Sequence, residues 1–197
     1  KTEKHKKEIS FKQIEMKYPE TRKDTSVSDN YFGTIVRDPY RWLENDTSAE
    51  TGQWVNAQNS VTREWFSQVP FRQSIEDRYR ELFNYEKFSA LFREGSYTYY
   101  YRNSGLQNQS VLYRQKEGGE PEVFLDPNTF SKDGTTSLAG VSFTKDGSLC
   151  AYQISEGGSD WRKIIVMEAE TKKQIGDTLL DVKFSDISWL NNEGFFY

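Results

Sequence analysis

Residues 142–152 read SFTKDGSLCAY: a short apolar stretch, an acidic residue followed by glycine, and a second apolar stretch. Residues 188–197 repeat this pattern as SWLNNEGFFY, and residues 89–100 carry a looser copy, SALFREGSYTYY. Because glycine adopts positive φ at little cost, an acid–glycine pair between apolar stretches is typical of a tight hairpin turn. The three acid–glycine pairs are residues 94–95, 146–147 and 193–194.

The intervals between these turns are 52 and 47 residues. Between the turns, apolar and polar side chains alternate, which predicts short β-strands. Strands are predicted over residues 96–102, 110–114, 122–125, 148–155, 163–168 and 178–184. About four short strands in a repeat of this length indicate the blades of a β-propeller. Since a blade buries its faces against neighbouring blades, two blades and the start of a third predict part of a longer protein.

The segment before residue 86 has a helical pattern instead. Residues 47–50, TSAE, form a capping box that predicts the start of a helix, with the acid reaching back to the N-cap amide. Pro70 predicts the end of this helix and the beginning of a second one. The apolar face of the second helix would comprise Ile75, Tyr79, Leu82 and Phe83.

The patterns together predict a mainly β chain with three parts. Residues 1–17, KTEKHKKEISFKQIEMK, predict a flexible, charged N-terminus because they offer few apolar anchors. Residues 18–85 form the helical segment, with a short strand predicted over residues 31–36. Residues 86–197 form the propeller blades, about two and the start of a third.

Composition excludes several classes of function. The net charge is −4, with 26 basic and 30 acidic residues and no basic stripe, so no nucleic-acid partner is expected. The sequence has no apolar run long enough to span a bilayer, so no membrane partner is expected either. One cysteine and one histidine exclude a disulfide framework and a Cys/His zinc site. No nucleotide or calcium motif is present, and we predict neither a cofactor nor a metal.

The residues themselves do not predict a catalytic site. Residues 157–161, GGSDW, resemble a nucleophile elbow, but Trp161 replaces the last glycine and strands are predicted on both sides. This motif therefore predicts a hairpin loop. Cys150 lies within an apolar strand pattern and is predicted to be a small buried side chain. A Ser-His-Asp arrangement could use only His5, so no catalytic residue is predicted.

Several ordered motifs resemble the prolyl oligopeptidase family, also called prolyl endopeptidases, and bacterial forms of Bacteroidetes type in particular. The motifs are YPE at 18–20, DPYRWLE at 38–44, GLQNQSVLY at 105–113, FLDPN at 124–128 and GSDW at 158–161. DPYRWLE is shared with oligopeptidase B, whereas GLQNQSVLY and GSDW favour the prolyl enzymes. The resemblance covers the N-terminal portion of a family member only.

The resemblance implies a serine peptidase that hydrolyses short peptides after proline. It implies a seven-bladed propeller inserted into an α/β-hydrolase domain, with residues 18–85 as the N-terminal arm of that domain. The implied partners are proline-containing oligopeptides and the C-terminal α/β-hydrolase domain of the same full-length chain. The implied Ser-Asp-His triad has no counterpart among these residues. The role that the resemblance implies for this part of the protein is substrate gating and domain docking.

Two site residues follow from the resemblance. Phe184 matches a propeller aromatic that lines the subsite for the upstream residue of the substrate, and its alternative role is a core aromatic of a blade. Asp160 matches an aspartate that pairs with an arginine of the catalytic domain, and its alternative role is a turn aspartate.

Two other functions remain open at this point. An oligopeptidase B-like peptidase would keep the fold and cleave after basic residues. A free-standing propeller without catalysis would be a binding module. The family location implies the cytoplasm, with the periplasm as the alternative.

Overall fold

A computed structural model describes residues 15–197. His5 and most of the charged segment predicted over residues 1–17 lie outside the described residues. The chain divides into two compact units, with the boundary between Arg78 and Tyr79. The functional division predicted after residue 85 stays a prediction.

The first unit contains a β-hairpin where the sequence predicts a single short strand. Strand β1 spans Ser28–Tyr31 and pairs with the antiparallel strand β2, Thr34–Arg37. The turn residues Phe32 and Gly33 have φ values of 52° and 91°, and two such residues make a tight hairpin turn. The single strand predicted over residues 31–36 is therefore wrong, because the chain reverses direction within it.

Two helices follow, as predicted. Helix α1 spans Ala49–Ser67 and helix α2 spans Arg72–Phe83, so Pro70 lies between them. The N-cap of α1 is Ser48, whose Oγ accepts a hydrogen bond from the Thr51 amide at 3.1 Å. Of the described residues, no helix has the length and apolar character that a membrane crossing requires.

The predicted capping box is not formed by its acidic residue. Glu50 accepts a hydrogen bond from Arg22 Nε at 2.6 Å and does not reach back to the helix start. Two indole groups hold the segment that contains Thr21 and Arg22. Trp54 Nε1 donates to Thr21 Oγ1 at 2.9 Å, and Trp42 Nε1 donates to the Arg22 carbonyl at 3.0 Å. Residues around the YPE motif are therefore anchored along α1, so their irregular backbone has defined partners.

The second unit contains two antiparallel sheets and a hairpin. The strands of the first sheet are β3 (Lys87–Phe88), β4 (Phe92–Glu94), β5 (Tyr97–Asn103), β6 (Val111–Lys116) and β7 (Glu122–Leu125). Their order is β3-β5-β6-β7, and β4 pairs with another part of β5. The second sheet has the order β8-β9-β10-β11. Its strands are β8 (Ser137–Phe143), β9 (Leu149–Ser155), β10 (Trp161–Glu168) and β11 (Gln174–Lys183).

The last hairpin consists of β12, Ser188–Leu190, and β13, Gly194–Phe196. The predicted strands are confirmed, with shifts of a few residues at their ends. Strand β8 was not predicted as a strand in its own right. Its register with β9 shifts between Leu138 and Gly140, which breaks the alternation by which sequence reasoning recognises a strand.

The second sheet lies between the first sheet and the last hairpin, and we call it the middle sheet. It is buried on both of its faces. Cys150 and Ala151 are consecutive residues of β9, so their side chains point to opposite faces. Cys150 is buried in a cluster with Tyr99 and Leu112 of the first sheet, whereas Ala151 is buried in a second cluster that contacts Trp189 of the last hairpin. The sheets therefore stack face to face in chain order, and Cys150 is the small buried side chain that its sequence context predicts.

The turns of three hairpins contact one another. A Cβ built on Gly147 would lie 2.3 Å from the amide nitrogen of Gly95, which is closer than any real contact. In the last hairpin, Asn192 Nδ2 donates to Asp146 Oδ2 at 2.7 Å. The third acid–glycine pair, residues 193–194, does not itself form the predicted turn: Gly194 is the first residue of β13, and the turn spans residues 191–193 with a positive φ at Asn191. We call the three turns, at residues 94–95, 146–147 and 191–193, the turn row. The repeated motif is thus a packing element between sheets as well as a local turn.

Asp146 organises the central turn of the turn row. In addition to the bond from Asn192, its Oδ1 accepts hydrogen bonds from Thr144 Oγ1 at 2.7 Å and from the Ser148 amide at 3.0 Å. These donors, with Asn192 the strongest, hold the pKa of the Asp146 carboxyl well below its usual range. The carboxylate therefore joins its own turn to the next hairpin.

A buried arginine joins the two sheets. The side chain of Arg114 on β6 is only 3% exposed, and its Nε donates to Glu122 Oε1 at 2.7 Å. Its two terminal nitrogens donate to the backbone carbonyls of Ala169 and Glu170, which follow β10. The guanidinium also lies 4.2 Å from the ring centroid of Tyr97. One rigid, planar group thus satisfies two carbonyls of the neighbouring sheet.

The Gly147→Ala substitution tests the turn row. An alanine at a positive φ lowers the free energy of unfolding by about 1–2 kcal/mol, and a close contact between its Cβ and another backbone lowers it by about 1–3 kcal/mol more. Gly118 is the matched control, because its φ is also 71° but nothing lies within 4 Å of a built Cβ. We expect Gly147→Ala to lower the urea midpoint of the intact protein clearly more than Gly118→Ala. Equal shifts would show that the contact between turns contributes nothing.

Arg114→Lys tests the bridge between sheets. Lysine cannot donate to two carbonyls and a carboxylate from one planar group, so buried acceptors lose partners at a cost of about 2 kcal/mol. Arg93→Lys is the control, since Arg93 is an exposed residue of β4 in the same sheet. Urea unfolding should show a loss for Arg114→Lys only, and an unchanged midpoint in both variants would contradict the bridge.

Candidate functional site

Phe184 lies at the end of the middle sheet and is highly exposed. It is the first residue after β11, and the residue is 76% exposed. Its φ is 52°, a left-handed conformation that is uncommon for a bulky residue. The ring therefore lies outside both buried clusters of the second unit, on a part of the surface where a ligand could contact it.

Asp160 is placed at the same end of the sheet. Trp161, the first residue of β10, is the register partner of Lys183, the last residue of β11. Asp160 and Phe184 are the residues immediately outside this pair, one on each strand. The structure thus brings together the two residues that the family resemblance singles out, although 24 positions separate them in the sequence.

A lysine lies between two aromatic rings at this end. The Lys183 Nζ is 5.0 Å from the Trp161 ring and 5.0 Å from the Phe184 ring. Both distances fall within the range of cation–π attraction. Trp161 is itself 52% exposed, so the group offers two exposed aromatic residues. We call Trp161, Lys183 and Phe184 the aromatic–lysine cluster. Its flat rings could pack against apolar side chains of a peptide.

The loop before the cluster is a hairpin connection, as predicted. Gly157 and Gly158 have positive φ values of 61° and 76°, and Ser155 Oγ donates to the Ser159 carbonyl at 2.6 Å. Ser159 Oγ accepts a hydrogen bond from the Trp161 amide at 3.1 Å, which fixes the hydroxyl in the turn. Ser159 is thus a turn residue and does not stand on a strand-to-helix elbow.

Sequence reasoning missed a buried glutamine that supports the site. Gln153 on β9 is 2% exposed, and its Nε2 donates to the Ser185 carbonyl at 2.9 Å. Its Oε1 accepts from Arg162 Nη1 at 2.7 Å. Gln153 therefore anchors the backbone directly after Phe184. The available signal was one amide side chain within the largely apolar strand LCAYQIS.

A partly open hollow of about 230 Å³ lies beside the aromatic–lysine cluster. Its lining includes Glu156, Trp161, Lys163 and Asp181. Lys163 Nζ contacts Glu156 Oε1 at 2.8 Å, so charges of both signs line the hollow and two of them are paired. Such a surface fits a segment of polypeptide better than a highly charged ligand.

The site holds aromatic and charged groups without an assembled nucleophile. Among residues 15–197, no group of three or more His, Cys, Asp or Glu side chains is placed to hold a metal ion. Burial raises the pKa of the Cys150 thiol, which keeps it protonated and unreactive. The arrangement offers exposed aromatic and charged side chains to a ligand.

Successive antiparallel sheets that stack face to face, here one of five strands, one of four and a two-stranded hairpin, are typical of β-propeller proteins. The sequence profile described as "Prolyl oligopeptidase, N-terminal beta-propeller domain" matches residues 19–197. The chain belongs to this family. The mainly β fold with few helices that the sequence predicts is thereby confirmed as that of the prolyl oligopeptidase propeller region.

Named relatives agree with this assignment. The chain is 59% identical to a prolyl endopeptidase of Elizabethkingia meningoseptica over 182 residues, which cover 92% of this chain and 26% of the relative. It is 37% identical to prolyl oligopeptidase A of Amanita bisporigera over 91% of this chain and 27% of the relative. The chain thus spans about a quarter of the length of the curated relatives it matches.

Solved structures show the same fold. A structure from work on two prolyl endopeptidases and their inter-domain dynamics matches with a TM-score of 0.74 and 32% identity, over 91% of this chain and 27% of the other. Oligopeptidase B from Leishmania major matches with a TM-score of 0.71, over 92% of this chain and 29% of the other. Its identity is only 18%, so this likeness shows the fold alone.

Proposed function

We propose that the protein containing this chain is a serine-type prolyl oligopeptidase, which hydrolyses short peptides on the carboxyl side of proline. The observation that carries the proposal is the 59% identity to a prolyl endopeptidase over 92% of this chain. The catalytic triad belongs to a part of the protein beyond these residues. The chain itself supplies part of a propeller that gates the access of substrates.

Residues 86–197 would form two blades and the opening of a third in a seven-bladed propeller. The burial of the middle sheet on both faces supports this division, because a blade needs a neighbour on each side. The intervals of 52 and 47 residues between acid–glycine pairs also agree with one blade per repeat. In a closed ring, the narrow entrance would admit oligopeptides and exclude folded proteins.

Residues 18–85 would dock on an α/β-hydrolase domain of the same protein. The support comes from helix α2, which keeps a series of large apolar side chains exposed in this structure. These exposed residues are Ile75, Tyr79, Leu82 and Phe83. Apolar side chains that recur on one helix face usually pack against another element, and the described residues leave these four between 44% and 59% exposed.

The two site residues have separate proposed roles. Phe184 would line the subsite that accepts an upstream residue of the peptide, and its 76% exposure supports this role. Asp160 would pair with an arginine of the catalytic domain and help to hold the closed form. Asp160 lies in the exposed β9–β10 loop, where its carboxylate is accessible to another domain. The family's commoner location, the cytoplasm, completes the proposal, and fractionation would distinguish it from the periplasm.

A reporter assay tests the activity. The purified full-length protein and the isolated 197-residue chain are each given a Gly-Pro-reporter peptide and a matched Gly-Lys-reporter peptide. We expect the full-length protein to cleave the proline reporter only, and a serine-directed phosphonate to abolish this cleavage. The isolated chain should cleave neither, because the described residues contain no assembled nucleophile.

Each other outcome would contradict the proposal in a different way. Cleavage after lysine instead of proline would indicate an oligopeptidase B-like enzyme. Activity of the full-length protein that resists the phosphonate would exclude serine chemistry. A full-length protein that binds peptides and cleaves none would be a propeller binding module.

Asp160→Asn tests the pairing role. The substitution removes the charge while keeping the size, so an ion pair between domains would weaken and kcat/KM for the proline reporter should fall about fivefold at low salt. Because salt screens an exposed pair, the difference from the unmodified protein should shrink at high ionic strength. Asp177→Asn is the control, since Asp177 is an exposed acid of β11 away from the Trp161–Lys183 pair. Equal behaviour of the two variants would argue against the pairing.

A further inference from the structure

Lys183 and Phe184 are neighbours in the sequence whose side chains lie together. Consecutive residues of a regular strand point to opposite faces of the sheet, so these two side chains should diverge. Phe184 instead has a φ of 52°, and its ring centroid is 5.0 Å from Lys183 Nζ. The left-handed backbone at Phe184 breaks the alternation, and the ring is thereby free to turn towards the lysine.

Trp161 determines where the lysine lies. It pairs with Lys183 across β10 and β11, and such cross-strand partners have adjacent side chains on one face. The Trp161 ring is 5.0 Å from Lys183 Nζ, the same distance as the Phe184 ring. The ammonium group therefore lies between an indole that belongs to the sheet and a phenyl ring that follows it.

The backbone around Phe184 is held separately from its ring. The Ser185 carbonyl accepts a hydrogen bond from the buried Gln153 at 2.9 Å, and Val182 is 2% exposed in the second core cluster. The remaining freedom lies in the side-chain rotamers of Phe184, whose 76% exposure leaves few protein contacts to choose among them. Lys183 supplies the charged contact to this ring.

We propose that Lys183 is a positioning residue that selects the orientation of the Phe184 ring for an upstream residue of a peptide substrate. The inference rests on the proposed function. The lysine acts through the ring and does not contact the reacting bond. Its loss should therefore weaken the binding of long peptides without slowing the chemical step, which is a change in KM at constant kcat.

The experiment uses the full-length protein and two proline reporters. The short reporter ends two residues before the scissile bond, and the long reporter adds further apolar residues upstream. Lys183→Met removes the ammonium group at similar length, whereas Lys183→Arg keeps a cation that can lie over both rings. Lys173→Met is the matched control, because Lys173 is an exposed lysine in the turn at the other end of the β10–β11 hairpin.

We expect Lys183→Met to raise KM for the long reporter about two- to fivefold, the size of one exposed cation–π contact. The kcat for the long reporter, and both constants for the short one, should be unchanged. Lys183→Arg should restore the KM, and Lys173→Met should behave as the unmodified protein. In a Phe184→Ala background, Lys183→Met should have no further effect, because the lysine acts through the ring.

The failures are distinguishable. If the unmodified protein cleaves neither reporter, the proposed function fails and this inference fails with it. If Phe184→Ala leaves the KM of the long reporter unchanged, the subsite assignment fails, and there is no ring to position. If Phe184→Ala raises that KM and Lys183→Met does not, only the positioning role is overturned. An equal rise for both reporters with Lys183→Met would indicate a general structural effect and would also overturn it.

Discussion

The close approach of Gly147 to Gly95 is the constraint on which the second unit depends. A Cβ on Gly147 would lie 2.3 Å from the Gly95 amide nitrogen and 2.6 Å from its Cα, so two backbones meet where no side chain fits. This approach allows Tyr99 of the first sheet to contact Phe143 of the second, with ring centroids 4.7 Å apart. The two sheets can approach closely enough to form the aromatic core between them because the glycines at this contact carry no side chain.

The turn row occupies only one end of the middle sheet, so the opposite end is available for a functional site. The turn between β8 and β9 packs in the turn row, and the following β9–β10 loop lies at the other end because the strands form an antiparallel meander. Strand β11 finishes beside the start of β10, where Trp161 pairs with Lys183. One end of the middle sheet thus serves packing, while the other presents exposed aromatic and charged side chains.

Much of the fold was predictable because it depends on local patterns. Alternation marked most strands, Pro70 separated the two helices, and GGSDW was recognisable as a loop between strands. Other features escaped prediction because a distant partner decides them. Glu50 bonds to Arg22, 28 residues away, and not to its own helix start. A register shift breaks the alternation of β8, so its sequence does not look like a strand. The reversal of the chain within residues 31–36 requires Phe32 to adopt a left-handed φ of 52°, which residues other than glycine rarely adopt.

The sequence by itself determined most of the strands, the first two acid–glycine turns, and the two positions that the family resemblance singles out. It could do so because alternation and positive φ are properties of neighbouring residues. Only the tertiary structure decided that the turns pack against one another and that Asp160 and Phe184 share one end of a sheet. It alone placed the ammonium group of Lys183 5.0 Å from two rings, because that position depends on strand register and on the backbone conformation of Phe184.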